Sequence, residues 1–112
     1  MPQVIPQLIN GQWQASNARE LIEVTDPATQ EVLALAPKAT HEEIEAAIAG
    51  AKQAFQSWRE VPVPERARLM LRYQHLLKEH HDELAEILAG ETGKTFADAK
   101  GDVWRGIEVA EH

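Results

Sequence analysis

Hydrophobic and polar positions alternate with a period of about two residues over the first third of the chain, which predicts β-strands. Asn10-Gly11 lies between two short segments of this kind and supplies the positive φ angles of a type I′ turn, so it predicts a β-hairpin. A second pair of apolar segments flanks a turn at residues 26–30. We expect two hairpins within residues 8–37.

After Pro37 the period lengthens to about 3.6 residues, which predicts helices over residues 40–112. Thr40 and Glu43 form a capping-box pattern at the start of the first helix. Gly93 suits the left-handed residue that follows a helix, and Thr95 with Asp98 caps the next one. Prolines and a His-His pair separate the remaining segments. The helices are predicted over about 41–58, 65–79, 82–91 and 96–112.

The fourth helix has two different faces at about 100° per residue. Trp104 lies between the faces, so we expect another part of the protein to cover it. The pattern still runs at His112 with no C-cap, which indicates a piece of a longer protein. One stripe is apolar and consists of Ala99, Val103, Gly106, Ile107 and Ala110, and the opposite stripe carries Gly101, Arg105, Glu108 and His112.

The charge balance and the apolar pattern exclude several classes of partner. Among 112 residues, Lys and Arg number 11 against 18 Asp and Glu, so nucleic-acid binding is not expected. No apolar run is long enough to span a membrane, and we expect a cytoplasmic protein that forms one compact unit or subdomain. The chain has no cysteine, which excludes disulfides and a cysteine nucleophile within these residues.

Two motifs that resemble ligand sites have simpler interpretations. Gly93-Lys94-Thr95 would need a glycine at position 88 to form a phosphate loop, but Leu88 stands there, so the triplet is expected to connect two helices. Three histidines are spaced by five residues and by one, which does not place them on one helical face. We therefore predict no catalytic, cofactor-binding or metal-binding residue from these motifs. The histidines are His75, His80 and His81.

Arg105 is the strongest candidate for ligand binding. Its spacing favours a surface ion pair with Asp102 or Glu108, worth a few tenths of a kcal/mol. Gly101, one turn earlier on the same side, costs about 1 kcal/mol of helix propensity relative to alanine. Such a cost indicates a backbone that another group approaches closely. Spacing alone leaves both interpretations open.

An ordered set of segments resembles the N-terminal part of aldehyde dehydrogenases: LINGQW, VTDPATQEVLALAPKAT, AFQSW, PERARLMLRY and ELAEILAGETGKTFADAKGDV. The last helix, in ETGKTFADAKGDVWRGIEVAEH, is similar more narrowly to the methylmalonate-semialdehyde dehydrogenase branch, which acylates coenzyme A. The resemblance implies an α+β fragment of the α/β aldehyde dehydrogenase fold, with N-terminal β-hairpins followed by about four α-helices. Residues 1–112 would be its N-terminal segment, with the Rossmann NAD-binding core, the catalytic domain and the oligomerisation element outside this chain.

The resemblance also implies a function for the parent enzyme. It would oxidise methylmalonate or malonate semialdehyde to an acyl-CoA with decarboxylation, using NAD and coenzyme A. The family's catalytic and cofactor-binding residues have no counterpart here, so the chain alone is expected to be inactive. Arg105 matches the family's arginine that helps recognise the substrate carboxylate. The parent would be a homotetramer, and the isolated piece is expected to self-associate.

Two alternatives stay open at this point. The chain could belong to another aldehyde dehydrogenase, one that hydrolyses its thioester intermediate. It could also be a noncatalytic helical interaction module. An open reading frame that leads to a nucleotide-binding fold and a cysteine would eliminate the module.

Overall fold

The computed structural model describes all 112 residues and contains five strands and four helices. The predicted α+β arrangement, with hairpins first and four helices after them, is confirmed. None of the helices is both long and apolar enough to cross a membrane. The elements are β1 (Gln3–Val4), β2 (Gln7–Ile9), β3 (Gln12–Gln14), β4 (Leu21–Thr25), β5 (Val32–Pro37), α1 (His41–Trp58), α2 (Val63–Glu79), α3 (His81–Thr92) and α4 (Phe96–Glu111).

The chain divides into two compact units, whereas its length predicted one. The first unit contains residues 1–25 and 30–60, and the second contains residues 26–29 and 61–112. The division after residue 60 falls beside Pro62, whose φ of −56° and ψ of 144° place extended backbone between α1 and α2. A proline also lacks the N–H that a continuous helix would need there.

The first unit contains two small sheets. Strands β2 and β3 form the hairpin predicted around Asn10 and Gly11, whose φ angles of 53° and 72° fit a type I′ turn. Strands β4 and β5 are antiparallel, as predicted, with an irregularity after Val24. Strand β1 pairs in parallel with β5 and was not predicted, because two residues carry no readable period.

The capping box at the start of α1 is complete. Thr40 Oγ1 accepts a hydrogen bond from the Glu43 backbone N–H at 3.2 Å, and Glu43 Oε2 accepts one from the Thr40 N–H at 2.9 Å. Glu43 also accepts bonds from the Ser16 hydroxyl at 2.8 Å and the Asn17 N–H at 2.7 Å. These donors lower the pKa of Glu43, with the Asn17 N–H as the largest cause. The carboxylate therefore ties the loop after β3 to the helix start.

The predicted apolar stripe of α1 remains largely uncovered in this chain. The helix contains no buried residue, and the Ile48 side chain is 57% exposed. Phe55 and Ile44 on the same stripe are also exposed. An amphipathic helix gains most of its stability by burying such a stripe, so this one lacks its usual cover.

The second unit is built around the packing of α3 and α4, with α2 against α4. Ala85 on α3 and Ala99 and Ile107 on α4 are the buried hydrophobic residues of the chain. The apolar stripe predicted on α4 is confirmed at these two positions, and Val103 between them is half-buried. The burial of this stripe fixes which side of α4 faces outward.

Local signals place the ends of these helices. Helix α3 ends at Gly93, whose φ of 69° is left-handed, as predicted. A Cβ built on Gly93 would lie 2.8 Å from Cγ of Pro27, so another residue at this position would strain the backbone and force a neighbour to shift. Thr95 Oγ1 then accepts a hydrogen bond from the Asp98 N–H at 3.2 Å and caps α4, as predicted. Helix α2 begins at Val63, before the predicted position.

The two units together expose more surface than two compact proteins of their size. The accessible area is 8697 Å², whereas two separate folded units of half the mass would together expose about 7,400 Å². The excess is about 1,300 Å², which is the scale of a protein–protein interface.

Glu43→Gln should lower the melting temperature at pH 7 by a few degrees, because an amide offers one acceptor oxygen where the carboxylate receives three donors. Ionised Glu43, whose folded pKa is lowered, contributes stability that is present above the ordinary glutamate range and lost as the pH falls through the folded value. The difference between the two proteins should therefore shrink as the pH is lowered from 7 to below the ordinary range of a glutamate. Circular dichroism melts measure it.

Glu42→Gln is the matched control, since Glu42 also lies in the first turn of α1. It removes the same helix-dipole charge but none of the hydrogen bonds to Ser16, Asn17 and Thr40. An equal loss in both variants, or a Glu43→Gln deficit that stays constant with pH, would contradict the role assigned to Glu43.

Candidate functional site

Arg105 lies on α4, away from the stripe that carries Ala99 and Ile107. Its side chain is exposed and makes no hydrogen bond and no ion pair within the chain. An unpaired guanidinium on a regular, packed helix is a donor group held on a rigid support. The structure thus leaves this predicted site residue open to a partner from outside the chain.

The ion pair that spacing favoured for Arg105 is not formed. Asp102, three residues earlier, is paired with Lys94. Glu108, three residues later, accepts a hydrogen bond from the Trp104 indole N–H at 3.0 Å. The pKa of Asp102 is lowered, first by the hydrogen bond and the charge of Lys94, and to a smaller extent by the charge of Arg105. The guanidinium is therefore near Asp102 but is not its main partner.

Trp104 is covered in part by neighbouring helices. The Lys78 ammonium of α2 lies 5.6 Å from the ring centroid, within cation–π range. The His81 ring at the start of α3 lies 6.0 Å away, tilted by 38°. The indole is still 41% exposed. These contacts hold the ring and the direction of its N–H.

Two residues at the start of α3 bind Lys100 of α4. His81 Nε2 lies 2.8 Å from the Lys100 carbonyl oxygen, and because a carbonyl can only accept, the nitrogen carries the proton. Asp82 pairs with the Lys100 ammonium at 2.7 Å, and this bond and charge lower the pKa of Asp82. Sequence reasoning missed both contacts, because no local spacing connects residues so far apart in the chain. Together they hold α4 about one and a half turns before Arg105.

Gly101 lies on the exposed side of α4, and no atom of this chain comes within 4 Å of a Cβ built there. Nothing within these residues explains why a glycine occupies the position. A close approach, if it is the reason for the glycine, comes from outside the chain.

The other motifs are engaged with their neighbours. His80 Nδ1 lies 2.7 Å from Glu83, and His75 lies 3.4 Å from Glu79. The structure contains no group of three or more His, Cys, Asp or Glu side chains that could hold a metal ion. In the Gly93-Lys94-Thr95 triplet, the lysine pairs with Asp102 and the threonine caps α4.

Comparison with known proteins places these features in a family. The model of the aldehyde dehydrogenase family matches residues 13–112. The chain is 49% identical over 108 residues to malonate-semialdehyde dehydrogenase 1 of Geobacillus kaustophilus, covering 96% of this chain and 22% of that protein. It is 46% identical over 112 residues to the acylating, mitochondrial methylmalonate-semialdehyde dehydrogenase of Arabidopsis thaliana, covering 100% of this chain and 18% of that protein.

A solved structure agrees with these relatives. It is the crystal structure of a protein from Sinorhizobium meliloti 1021 that is described as a methylmalonate-semialdehyde dehydrogenase, complexed with NAD. The TM-score is 0.93 at 36% identity, and the match covers 99% of this chain and 23% of that one. The chain thus spans about a fifth of the length of the proteins it matches. The fold and the family model agree with the sequence resemblance, and the chain belongs to the aldehyde dehydrogenase family.

Proposed function

We propose that this chain is the N-terminal part of an NAD-dependent, coenzyme-A-acylating dehydrogenase of malonate or methylmalonate semialdehyde, in which Arg105 binds the substrate carboxylate. Similarity to relatives named for these semialdehydes supports the substrate class. A similar structure complexed with NAD supports the cofactor. The single observation that carries the role of Arg105 is its free, exposed guanidinium between two carboxylates that are engaged elsewhere.

A guanidinium suits this task because it is planar and always charged. Its fork can make two parallel N–H···O bonds to one carboxylate, which fixes both the position and the direction of the ligand. A semialdehyde carries its carboxylate at one end and the reacting carbonyl at the other. Anchoring the carboxylate would therefore orient the carbonyl for attack.

The remaining chemistry is assigned to residues outside this chain. No cysteine is present to form a thioester, and Gly93-Lys94-Thr95 is closed by the Lys94–Asp102 pair and the Thr95 cap. These residues do not fit an NAD or coenzyme A site. Bound NAD would accept the hydride in the complete enzyme. We therefore assign substrate recognition alone to this chain and expect no activity from it in isolation.

The exposed apolar surface supports the proposal that other parts of the complete enzyme pack against this chain. An excess of about 1,300 Å² is difficult to reconcile with a free-standing interaction module, which would normally bury its own apolar faces. The exposed stripe of α1, with Ile48 at 57%, and the 74% exposed Val109 on α4 are the clearest examples. We propose that further domains of a homotetrameric parent enzyme cover these faces.

Arg105→Ala should selectively weaken the use of carboxylate-bearing substrates. In a full-length aldehyde dehydrogenase that contains these residues, we expect the Michaelis constant for malonate semialdehyde to rise about 10- to 100-fold, because a charge-assisted hydrogen bond contributes roughly 1.5–3 kcal/mol. The constant for an uncharged aldehyde such as propanal should change little. Arg72→Ala, on α2, is the control. Equal effects on both substrates would remove the proposed role.

Coenzyme A should be required for turnover of the full-length enzyme. With malonate semialdehyde and NAD, we expect acetyl-CoA, carbon dioxide and NADH to form together when coenzyme A is present, since the substrate carboxylate is lost and the free thiol takes the acetyl group from the thioester. Product analysis by chromatography, alongside NADH absorbance, measures this. Steady formation of a free acid without coenzyme A would instead support a hydrolytic aldehyde dehydrogenase.

The isolated 112-residue chain should self-associate through its exposed apolar faces. We expect sedimentation velocity to show species larger than a monomer that increase with concentration. Val109→Lys should reduce them, because it places a charge on the most exposed apolar side chain of α4. A strictly monomeric profile of the unsubstituted chain, with no binding of an apolar dye, would contradict this.

A further inference from the structure

Arg105 has two potential competitors for any ligand on its own helix. Asp102 and Glu108 lie three residues before and after it, a spacing at which an arginine and a carboxylate can pair. Either pair would occupy the guanidinium fork and neutralise its charge. The structure instead gives each carboxylate a different donor, Lys94 for Asp102 and the Trp104 indole for Glu108.

We propose that Trp104 and Lys94 are specificity-determining residues that hold Glu108 and Asp102 away from Arg105 and so keep its guanidinium free for the substrate carboxylate. The consequence for the substrate rests on the proposed function of Arg105. The claim that Trp104 and Lys94 keep the Arg105 guanidinium unpaired concerns only contacts within this chain.

Trp104 is suited to hold a carboxylate without competing for Arg105. The indole nitrogen is a donor only, so it can bind Glu108 but offers nothing to a guanidinium. Its ring contacts two neighbouring helices, with the Lys78 ammonium of α2 at 5.6 Å and the His81 ring of α3 at 6.0 Å. The N–H therefore points along α4 towards Glu108, one turn later, at 3.0 Å.

Lys94 reaches Asp102 because the chain reverses at Gly93. The left-handed backbone there, with φ of 69°, ends α3 and places Lys94 in the connection to α4. Its ammonium pairs with a carboxylate eight residues later. The lowered pKa of Asp102, due mainly to Lys94 and less to Arg105, agrees with this division of partners.

The arginine signal in NMR spectra of the 112-residue chain tests directly whether the Arg105 guanidinium is kept unpaired. Trp104→Phe keeps an aromatic ring but removes the N–H, so Glu108 is free to pair with Arg105. We expect the Arg105 Nε–H resonance, identified by its loss in Arg105→Lys, to shift in Trp104→Phe and to return in Trp104→Phe/Glu108→Gln. Trp13→Phe, on β3, is the control and should leave it unchanged. A resonance that does not move, or that stays shifted in the double variant, would overturn the proposal.

A second pair of variants tests the other carboxylate in the same way. Lys94→Met should shift the Arg105 resonance because Asp102 loses its main partner, and Lys94→Met/Asp102→Asn should restore it. This pair leaves Trp104 and its packing intact, so the test does not depend on the folding of one variant. Failure of the second substitution to restore the signal would count against the role of Lys94.

The consequence for substrate choice is measured in a full-length enzyme that contains these residues. Exposed ion pairs change an equilibrium by a factor of about two to five. We expect Trp104→Phe to lower the ratio of kcat/KM for malonate semialdehyde to that for propanal by such a factor, and Glu108→Gln to restore the ratio. In an enzyme whose ratio falls in Arg105→Ala, an unchanged ratio in Trp104→Phe would overturn the proposal.

The two proposals can fail separately. If Arg105→Ala leaves this ratio unchanged, the proposed function of Arg105 is wrong, whereas the NMR experiment still decides whether Trp104 and Lys94 keep its guanidinium free. If Arg105→Ala lowers the ratio but the resonance is unmoved in both single variants, the role of Trp104 and Lys94 is wrong and the substrate role of Arg105 stands.

Discussion

The close packing of α3 against α4 is the constraint on which the site depends. Ala85 on α3 and Ala99 and Ile107 on α4 are the buried apolar residues of the chain, and no other helix pair excludes water as completely. Burying one stripe of a helix fixes its rotation, so the opposite stripe must face outward. His81 and Asp82 reinforce this rotation through Lys100. The direction of Arg105 follows from apolar packing rather than from contacts of its own.

A small core beside large uncovered faces is consistent with the length of the relatives. The chain spans about a fifth of those proteins and exposes apolar stripes that a self-sufficient domain would bury. Its helices nevertheless have well-formed ends, such as the Thr40–Glu43 box and the Gly93 turn. The hydrogen bonds at these two helix ends are thus formed, while the apolar faces lack a cover. We infer from this contrast that other protein covers the apolar faces of this chain in the complete enzyme.

The sequence predicted those features whose chemistry is local. Asn10-Gly11 and Gly93 required positive φ, and the cap residue Thr95 needed only a backbone N–H three positions away. Strand β1 and the division into two units depend on distant contacts and were not predicted. Arg105 is a candidate substrate-binding residue from the sequence, and the ion pair with Asp102 or Glu108 that its spacing also allowed is not formed. Residue spacing shows which side chains can pair on one helix. It does not show that Lys94, which precedes α4 in the chain, pairs with Asp102 in place of Arg105.

Whether a charged side chain on a protein surface is available to a ligand depends on its neighbours as much as on its own position. Around Arg105, one carboxylate is neutralised by an ammonium and the other is held by an indole, so the positive charge is left available without burial. Such an arrangement would favour substrates that carry a carboxylate over those that do not. Under the proposed function, this arrangement gives the chain a role in substrate selection rather than in catalysis.

The most direct test of the account is a crystal structure of a full-length enzyme containing these residues, bound to the unreactive dicarboxylate malonate. We expect two parallel hydrogen bonds, about 2.7–2.9 Å long, between the Arg105 guanidinium and one malonate carboxylate. Asp102 and Glu108 should remain on Lys94 and Trp104. Malonate bound elsewhere, or an Arg105 guanidinium paired with either of these carboxylates in the complex, would contradict it.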